Sequence, residues 1–345
     1  MLVWILMLVR KLKNESSMTK IKVYFDGLRH DSPLLQDRSA LNNLLTLGQS
    51  RLTNANTATQ SLQSLLCNDC GLNVSSDCPI AALTHFGEFD TSIDATTYWL
   101  LATPVHLTLQ RDFFSMTEAL VLSNADSLSL IAHLNAHFAD NGYEFSVTPS
   151  LQWLLKVQNK RELLSTTISQ VIGRDTRPYM PNGADAAWAA QLTNEIQMLL
   201  FEHPINQARE ARGELAMNSI WLSGTGTLPE MPNTKANKSI YADDAFAKGL
   251  AKQSQLPLFA LPPSIDQLLA HIKMRKQNTA ETILWLDRAK TQHDWFTEIL
   301  QLLSKGKLKQ IILYFELSGK VLELTLSHWD TWIFWRKCKP IADYF

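Results

Sequence analysis

Hydrophobic positions along this chain fall into two rhythms, one of period two and one of helical period. Ile21–Phe25 is a short run of branched and aromatic residues ending in Asp26-Gly27, the pattern of a strand entering a turn. Ser32-Pro33 reads as an N-cap with proline at the first helical position, and Leu34, Leu41, Leu44 and Leu45 give the helix after it an apolar face. Tyr98–Ala102 and Val105–Leu109 read as two strands on either side of Pro104. Ser127–Ala139 sets Leu128, Ile131, Leu134 and Phe138 at helical spacing, with Gly142 suited to the stop. Tyr143–Val147 and Leu151–Val157 read as strands, and Ala186–Glu202 as a second amphipathic helix carrying Trp188, Leu192, Ile196 and Leu199. Pro204 disfavours helix through His203, and Ser219–Leu222 reads as a strand.

Further along, strands and helices alternate. Strands Ser239–Ala242, Leu258–Leu261, Ile283–Leu286 and Gln310–Phe315 are separated by helices Asp244–Gln253, Ile265–Arg275 and His293–Leu303. That order predicts a mostly parallel α/β sheet. Gln49–Gln63 is rich in Ser, Thr, Asn and Gln, either a solvated helix face or a connection, and Pro229–Lys238 is the best linker candidate. There is no internal repeat.

At 345 residues the chain exceeds a typical domain of ~100–200, so one large or two unequal domains are expected. A formal net charge of -1 argues against electrostatic nucleic-acid binding. Cys67, Cys70 and Cys78 cluster while Cys338 is distant, which does not fit an extracellular disulfide framework. The apolar run Leu2–Val9 falls far short of the ~20 residues that span a bilayer, and Arg10, Lys11 and Lys13 follow it instead of preceding it as in a secretory signal. Residues 1–17 are therefore read as an extension upstream of a start at Met18. The rival is a membrane-surface anchor through Trp4 and the basic cluster. No transmembrane segment and a cytoplasmic location are expected.

Candidate chemistry concentrates in Leu199–Leu228. Asn206, Arg209 and Arg212 recur every third residue and on a helix stay within a ~120° sector. Two guanidiniums and an amide there suit a phosphate or carboxylate, unless Glu202, Glu210 and Glu214 neutralise them as surface pairs. His203 is either a phosphate-polarising group or a helix cap, and Asn218 either touches a ligand or satisfies backbone groups. Ser223–Thr227 offers hydroxyls and small residues that can cradle an anion, against a plain strand exit; it lacks the lysine of a nucleotide loop. Cys67-X-X-Cys70 with Cys78 and His85 is a weak zinc pattern, and buried thiols are the favoured reading. Trp329, Trp332 and Trp335 form a stripe, read first as core packing and second as a partner patch beside Arg336, Lys337 and Lys339.

The order His203-Pro204-Ile205-Asn206, Arg209, Asn218, Trp221 resembles a segment of archaeal-type cofactor-independent phosphoglycerate mutases, members of the metal-dependent alkaline phosphatase superfamily. His137–Val157, Gly173-Arg174-Asp175, Pro181-Asn182-Gly183 and Ala242–Ala251 continue the resemblance in order, over roughly Val105–Ala251. It implies a three-layer α/β domain of alkaline-phosphatase type from 18–104 and 223–345, with an α+β insert at 105–222. It also implies ligand contacts from His203, Asn206, Arg209, Arg212, Asn218, Arg174 and Asp175.

Asp26 is similar to the family's first metal ligand. The family's glycine-framed serine nucleophile has no counterpart in Thr46–Ser64. His271, His293 and His328 form no Asp-His cluster, His293-Asp294 being the nearest approach. The whole chain looks closer to the proteobacterial "regulation of pathogenicity factors" protein E group. The expectation is a catalytically degenerate, regulatory mutase-like protein that binds a phosphorylated or acidic metabolite and needs no cofactor. The alternatives are an active mutase or phosphatase using Mn, Mg or Zn, and an interaction module using the tryptophan-rich end with a protein partner the sequence does not specify.

Overall fold

The computed structural model describes residues 20–26, 38–54, 61–74, 77–89, 94, 96–233, 236–275, 280–287, 295–317 and 320–332. The extension 1–17, Ser32-Pro33, His293-Asp294, Trp335 and the basic residues after it lie outside them. In chain order the strands are β1 (Lys20–Asp26), β2 (Gln49–Asn54), β3 (Tyr98–Leu109), β4 (Phe114–Ala119), β5 (Tyr143–Val147), β6 (Trp153–Val157), β7 (Ser219–Gly226), β8 (Lys238–Tyr241), β9 (Leu258–Phe259), β10 (Glu281–Asp287), β11 (Gln310–Leu317) and β12 (Lys320–Ser327). The α-helices are α1 (Arg38–Leu47), α2 (Leu62–Asp69), α3 (Ile80–Glu88), α4 (Asn124–His137), α5 (Ile168–Val171), α6 (Ala186–Phe201), α7 (Pro204–Ala211), α8 (Ala245–Gln253), α9 (Ile265–Arg275) and α10 (Trp295–Ser304).

Two compact units divide the chain. One draws on the described residues of Met1–Asn54, Thr234–Asp243 and Gln255–Phe345; the other on those of Ala55–Asn233 and Asp244–Ser254. The first holds a seven-stranded sheet of order β2-β12-β11-β1-β10-β8-β9. Strands β11, β1, β10, β8 and β9 run parallel, and β12 and β2 add an antiparallel edge. This is the mixed α/β class that strand–helix alternation predicts.

One face of the sheet explains the periodicity. Ile21, Val23 and Phe25 of β1 point at α1, α9 and α10, where Leu41, Leu44, Ile265, Phe296 and Ile299 complete a single buried cluster. Phe25 stacks on Phe315 with centroids 5.0 Å apart. On the opposite face Tyr24 stacks on Tyr314 at 4.5 Å. Burial on both faces is why these strands read as near-continuous apolar runs. The polar tract after Gln49 is neither helix nor connection at its start: it is edge strand β2, where exposed polar side chains suit an edge. The tryptophan stripe also departs from expectation. Trp329 and Trp332 lie on a short 3-10 segment and are 60% and 64% exposed, so neither packs into the core.

The second unit is built on an antiparallel sheet of order β4-β3-β6-β5, with β7 on the other side of β3. Residues 98–109 form one strand, not two. Pro104 is tolerated because β6 pairs with Tyr98–Leu101 and β4 with Val105–Leu109, so the missing N–H falls at the changeover. Helices α4 and α6 cover one face through Leu130, Ile131, Leu134, Leu192, Ile196 and Leu200; Leu128, expected among them, is 51% exposed.

This unit is larger than the expected insert 105–222. Strand β3 starts seven residues earlier, and helix α8 joins through its crossing with α3. That crossing is close enough for glycine alone. A Cβ on Gly249 would overlap the Leu83 carbonyl oxygen and lie 3.0 Å from the Gly87 nitrogen. Among the described residues no helix is long and apolar enough to cross a membrane.

Candidate functional site

The Leu199–Leu228 block folds as its proline dictates. Helix α6 stops at Phe201, and His203 caps α7 by accepting the Ile205 N–H on Nδ1 at 3.3 Å, with Pro204 at the first helical position. Burial and the neighbouring His133 lower the pKa of His203.

Asn206 is buried and fully committed. Its amide donates to the carbonyls of Leu200 at 2.8 Å and Met217 at 2.7 Å and accepts the Met217 N–H at 2.8 Å. Arg209 is buried as well, donating from Nε to the Leu215 carbonyl at 2.8 Å and pairing with Glu214 at 3.2 Å. Arg212 is exposed and makes a bidentate pair with the same carboxylate at 2.8 and 3.1 Å. That contact, together with Arg209, holds Glu214 below the usual carboxylate range. Asn218 exchanges two bonds with the Leu107 backbone at 2.7 and 2.9 Å. Arg174 donates to the Tyr179 hydroxyl at 3.0 Å, while Asp175 is clamped by Arg177, which lowers its pKa.

These seven side chains therefore meet backbone groups and each other's neighbours. The structure joins Asn206, Arg209 and Arg212 around the α7–β7 connection. None of the seven lines the cavity described next.

That cavity, of ≈ 500 Å³, lies within the second unit. Asp77, Tyr98, Lys160, Arg161, Thr225 and Thr227 are among its walls. Strand β7 reaches it because Gly226 (φ 150°) passes hard against Pro79, whose Cβ would lie 2.9 Å from an added Cβ. The approach brings Thr225 to Asp77. The Asp77 Oδ2 accepts the Thr225 hydroxyl at 2.9 Å, the Ser165 N–H at 2.9 Å and the Ser165 hydroxyl in a still shorter bond. Ser165 is itself fixed, since Leu164 bridges Asn182 and the Thr166 carbonyl accepts from Trp221 at 2.8 Å. Burial pushes the Asp77 carboxyl up to about 6, against the opposing pull of those hydrogen bonds. Burial likewise pushes Tyr98 up to about 12.

The cationic wall is partly unsatisfied. Arg161 pairs with Asp185 at 3.3 Å and lies 4.6 Å over the Trp188 ring. Its Nε is buried and has no hydrogen-bond partner among the described residues. Lys160 is exposed and makes no ion pair among them. Chemically this is a pocket with a guanidinium and an ammonium group beside hydroxyls, and it can hold a small oxyanion or hydroxylated acid.

Sequence reasoning marked Thr225 and Thr227, through the Gly-Thr-Gly-Thr pattern, but missed Asp77, Lys160, Arg161 and Ser165. No spacing rule joins residues 77, 161 and 225; only the fold does.

Asp26 closes β1 and is the register partner of Asp287 at the end of β10. Strand β1 lies between β10 and β11, and the chain reverses there, so this carboxyl edge is where open α/β sheets bind ligands. Residues 27–37 and 288–294 beside it lie outside the described residues. No three His, Cys, Asp or Glu side chains converge to hold a metal among those that are described. Cys67, Cys70 and Cys78 are buried free thiols.

Comparison with known proteins finds no matching family model. One stretch of 72 residues is 33% identical to the 2,3-bisphosphoglycerate-independent phosphoglycerate mutase of Methanothrix thermoacetophila, covering 21% of this chain and 18% of that protein. A stretch of 111 residues is 26% identical to the corresponding enzyme of Methanosarcina barkeri, covering 32% of this chain and 28% of the relative. The chain thus matches less than a third of either relative's length. A solved cofactor-independent phosphoglycerate mutase from Thermoplasma acidophilum aligns with 90% of each chain at 15% identity and a TM-score of 0.41. A Pyrococcus horikoshii protein aligns with 90% of this chain and 88% of its own at 11% identity and 0.48. Over the matched stretches, the chain is similar in sequence to the cofactor-independent phosphoglycerate mutases.

Proposed function

We propose that this is a phosphoglycerate-mutase-like protein that binds a phosphorylated or acidic metabolite in the second unit's cavity and acts by binding, not turnover. The observation that carries the reading is the buried Nε of Arg161 beside Lys160, neither of them paired by that atom or charge among the described residues. Leaving such a donor unmet costs about 1–3 kcal/mol, which a ligand oxygen restores once the side chain turns toward the cavity. The block His203–Asn218, with Arg174 and Asp175, serves this reading as scaffold for the unit; Asp26 is a remnant of a metal ligand. The relatives' names make phosphoglycerates the first compounds to try.

Thermal melting of the full chain with inorganic phosphate, 2-phosphoglycerate and 3-phosphoglycerate tests it. At least one should raise the melting temperature, and Arg161→Ala should abolish the rise while Arg212→Ala keeps it. A rise that survives Arg161→Ala moves the site elsewhere and defeats the assignment. The second reading, a working metal-dependent mutase, is favoured by the Asp26–Asp287 register at the sheet's carboxyl edge. Turnover of 3-phosphoglycerate with Mn²⁺ that disappears in Asp26→Ala would replace the binding reading with that one.

A further inference from the structure

We propose that Cys67 and Cys78 are a dithiol–disulfide pair whose oxidation state is transmitted to the cavity wall. Their Sγ atoms lie 3.6 Å apart and both side chains are buried. A disulfide needs about 2.05 Å, so an approach of roughly 1.5 Å completes the bond. Cys67 sits inside α2. Cys78 directly precedes Pro79, the N-cap residue of α3.

The coupling follows from the neighbours of Cys78. Asp77 and Pro79, on either side of it, both line the cavity. Asp77 binds the Ser165 N–H and the Thr225 hydroxyl through one oxygen, each at 2.9 Å. Pro79 is in contact with the Gly226 backbone, where even one added carbon has no room. Residues 77–79 are therefore held from α2 on one side and β7 on the other. Drawing Cys78 toward Cys67 displaces Asp77 from Ser165 and Thr225, or drags them with it.

The reaction is thiol–disulfide exchange with a low-molecular-weight disulfide of the glutathione class. One cysteine loses its proton and attacks, releasing one small thiolate and leaving a mixed disulfide. The second cysteine loses its proton and displaces the remaining small thiolate. The two protons end on the two small thiols, and the two electrons lost by the cysteines reduce the small disulfide. The contact with Cys78 and burial raise the Cys67 pKa, so exchange in the folded chain is slow and passes through local opening.

The proposal shares a cavity with the anion-binding reading, but neither of its readouts uses an anion, so the two can fail separately. The full chain is refolded from denaturant in a series of reduced and oxidised glutathione ratios, which removes burial as a kinetic barrier. Free thiols are then alkylated in denaturant and the chain mapped by mass spectrometry. We expect one bond, Cys67–Cys78, reversible by dithiothreitol, with Cys70 alkylated throughout. It should vanish in Cys67→Ser and Cys78→Ser and persist in Cys70→Ser. Hydrogen exchange of the Ser165 amide should differ by about tenfold or more between oxidised and reduced protein. Folded protein with Cys67 and Cys78 alkylated at every ratio overturns the pair, as does a bond made through Cys70. A Cys67–Cys78 bond that leaves Ser165 exchange unchanged overturns the coupling.

Discussion

Asp77→Asn tests whether burial or hydrogen bonding governs the cavity's carboxyl group. The group is raised from 3.8 to about 6, chiefly by burial, although three donors favour its charged form. A rise of about two pKa units corresponds to roughly 3 kcal/mol of folding free energy. Its sign is fixed by linkage. Below the unfolded pKa the carboxyl is protonated in both states, and its contribution to stability is whole. Between 3.8 and about 6 the unfolded chain ionises first, so stability falls by about 1.4 kcal/mol per pH unit. Above about 6 both states are ionised and the loss is complete.

Asparagine stays neutral and keeps an oxygen that can accept from Ser165 and Thr225. The variant should therefore gain on wild type by about 3 kcal/mol between pH 4 and pH 7. Urea unfolding of both proteins across that range, followed through the transition of the second unit, gives the difference. Large two-unit chains need not unfold in one step, so that transition must be resolved before energies are assigned. A difference that does not change with pH, or that moves toward wild type as pH rises, would show that the Ser165 and Thr225 donors outweigh burial. The carboxyl would then already be ionised well below pH 6.

Two further substitutions probe the frame around the cavity. Gly249→Ala places a methyl group into the Leu83 carbonyl at the α3–α8 crossing, where backbone meets backbone and no side chain can yield; we expect a loss of several kcal/mol, read as a large drop in melting temperature. Asn206→Ala deletes three buried bonds and strands the Met217 N–H and two carbonyls, for a loss of about 2–4 kcal/mol. If Asn206 were instead a ligand contact, the variant would lose anion-induced stabilisation while keeping its own melting temperature.

Much of the α/β unit was legible because its strands and helices are each satisfied locally. Strands β1, β8, β10 and β11 and helices α9 and α10 carry apolar runs whose period matches their structure, since each presents a fixed face to one cluster. Strands β2 and β12 were missed for the opposite reason. Their pairing is a long-range fact: Gln49–Asn54 acquires strand character from β12, more than 260 residues downstream, and nothing in QSRLTN announces it. Pro104 misled in a related way. A proline inside a strand normally ends it, but here two different partners share one edge and meet at that residue.

The site was less legible than the fold because the same residue types serve two purposes. Arginine and asparagine recognise phosphate through multiple directed donors, and those donors equally well tie loose carbonyls together. At Asn206 and Arg209 the nearby chain supplies the acceptors, the carbonyls of Leu200, Met217 and Leu215, and at Asn218 strand β3 supplies the Leu107 carbonyl. A helix–turn–strand connection as short as α7–β7 leaves such groups over, and polar side chains beside it are drawn to them. Arg161 differs only in geography. Its Nε is buried without an acceptor among the described residues, on a side chain that lines a cavity assembled from segments near residues 77, 161, 183 and 225. A donor becomes available to a ligand when the fold fails to provide a carbonyl for it, and that failure is a property of three-dimensional packing. Motif order can find the residues equipped to bind an anion; the hydrogen bonds already spent decide which of them are free to do it.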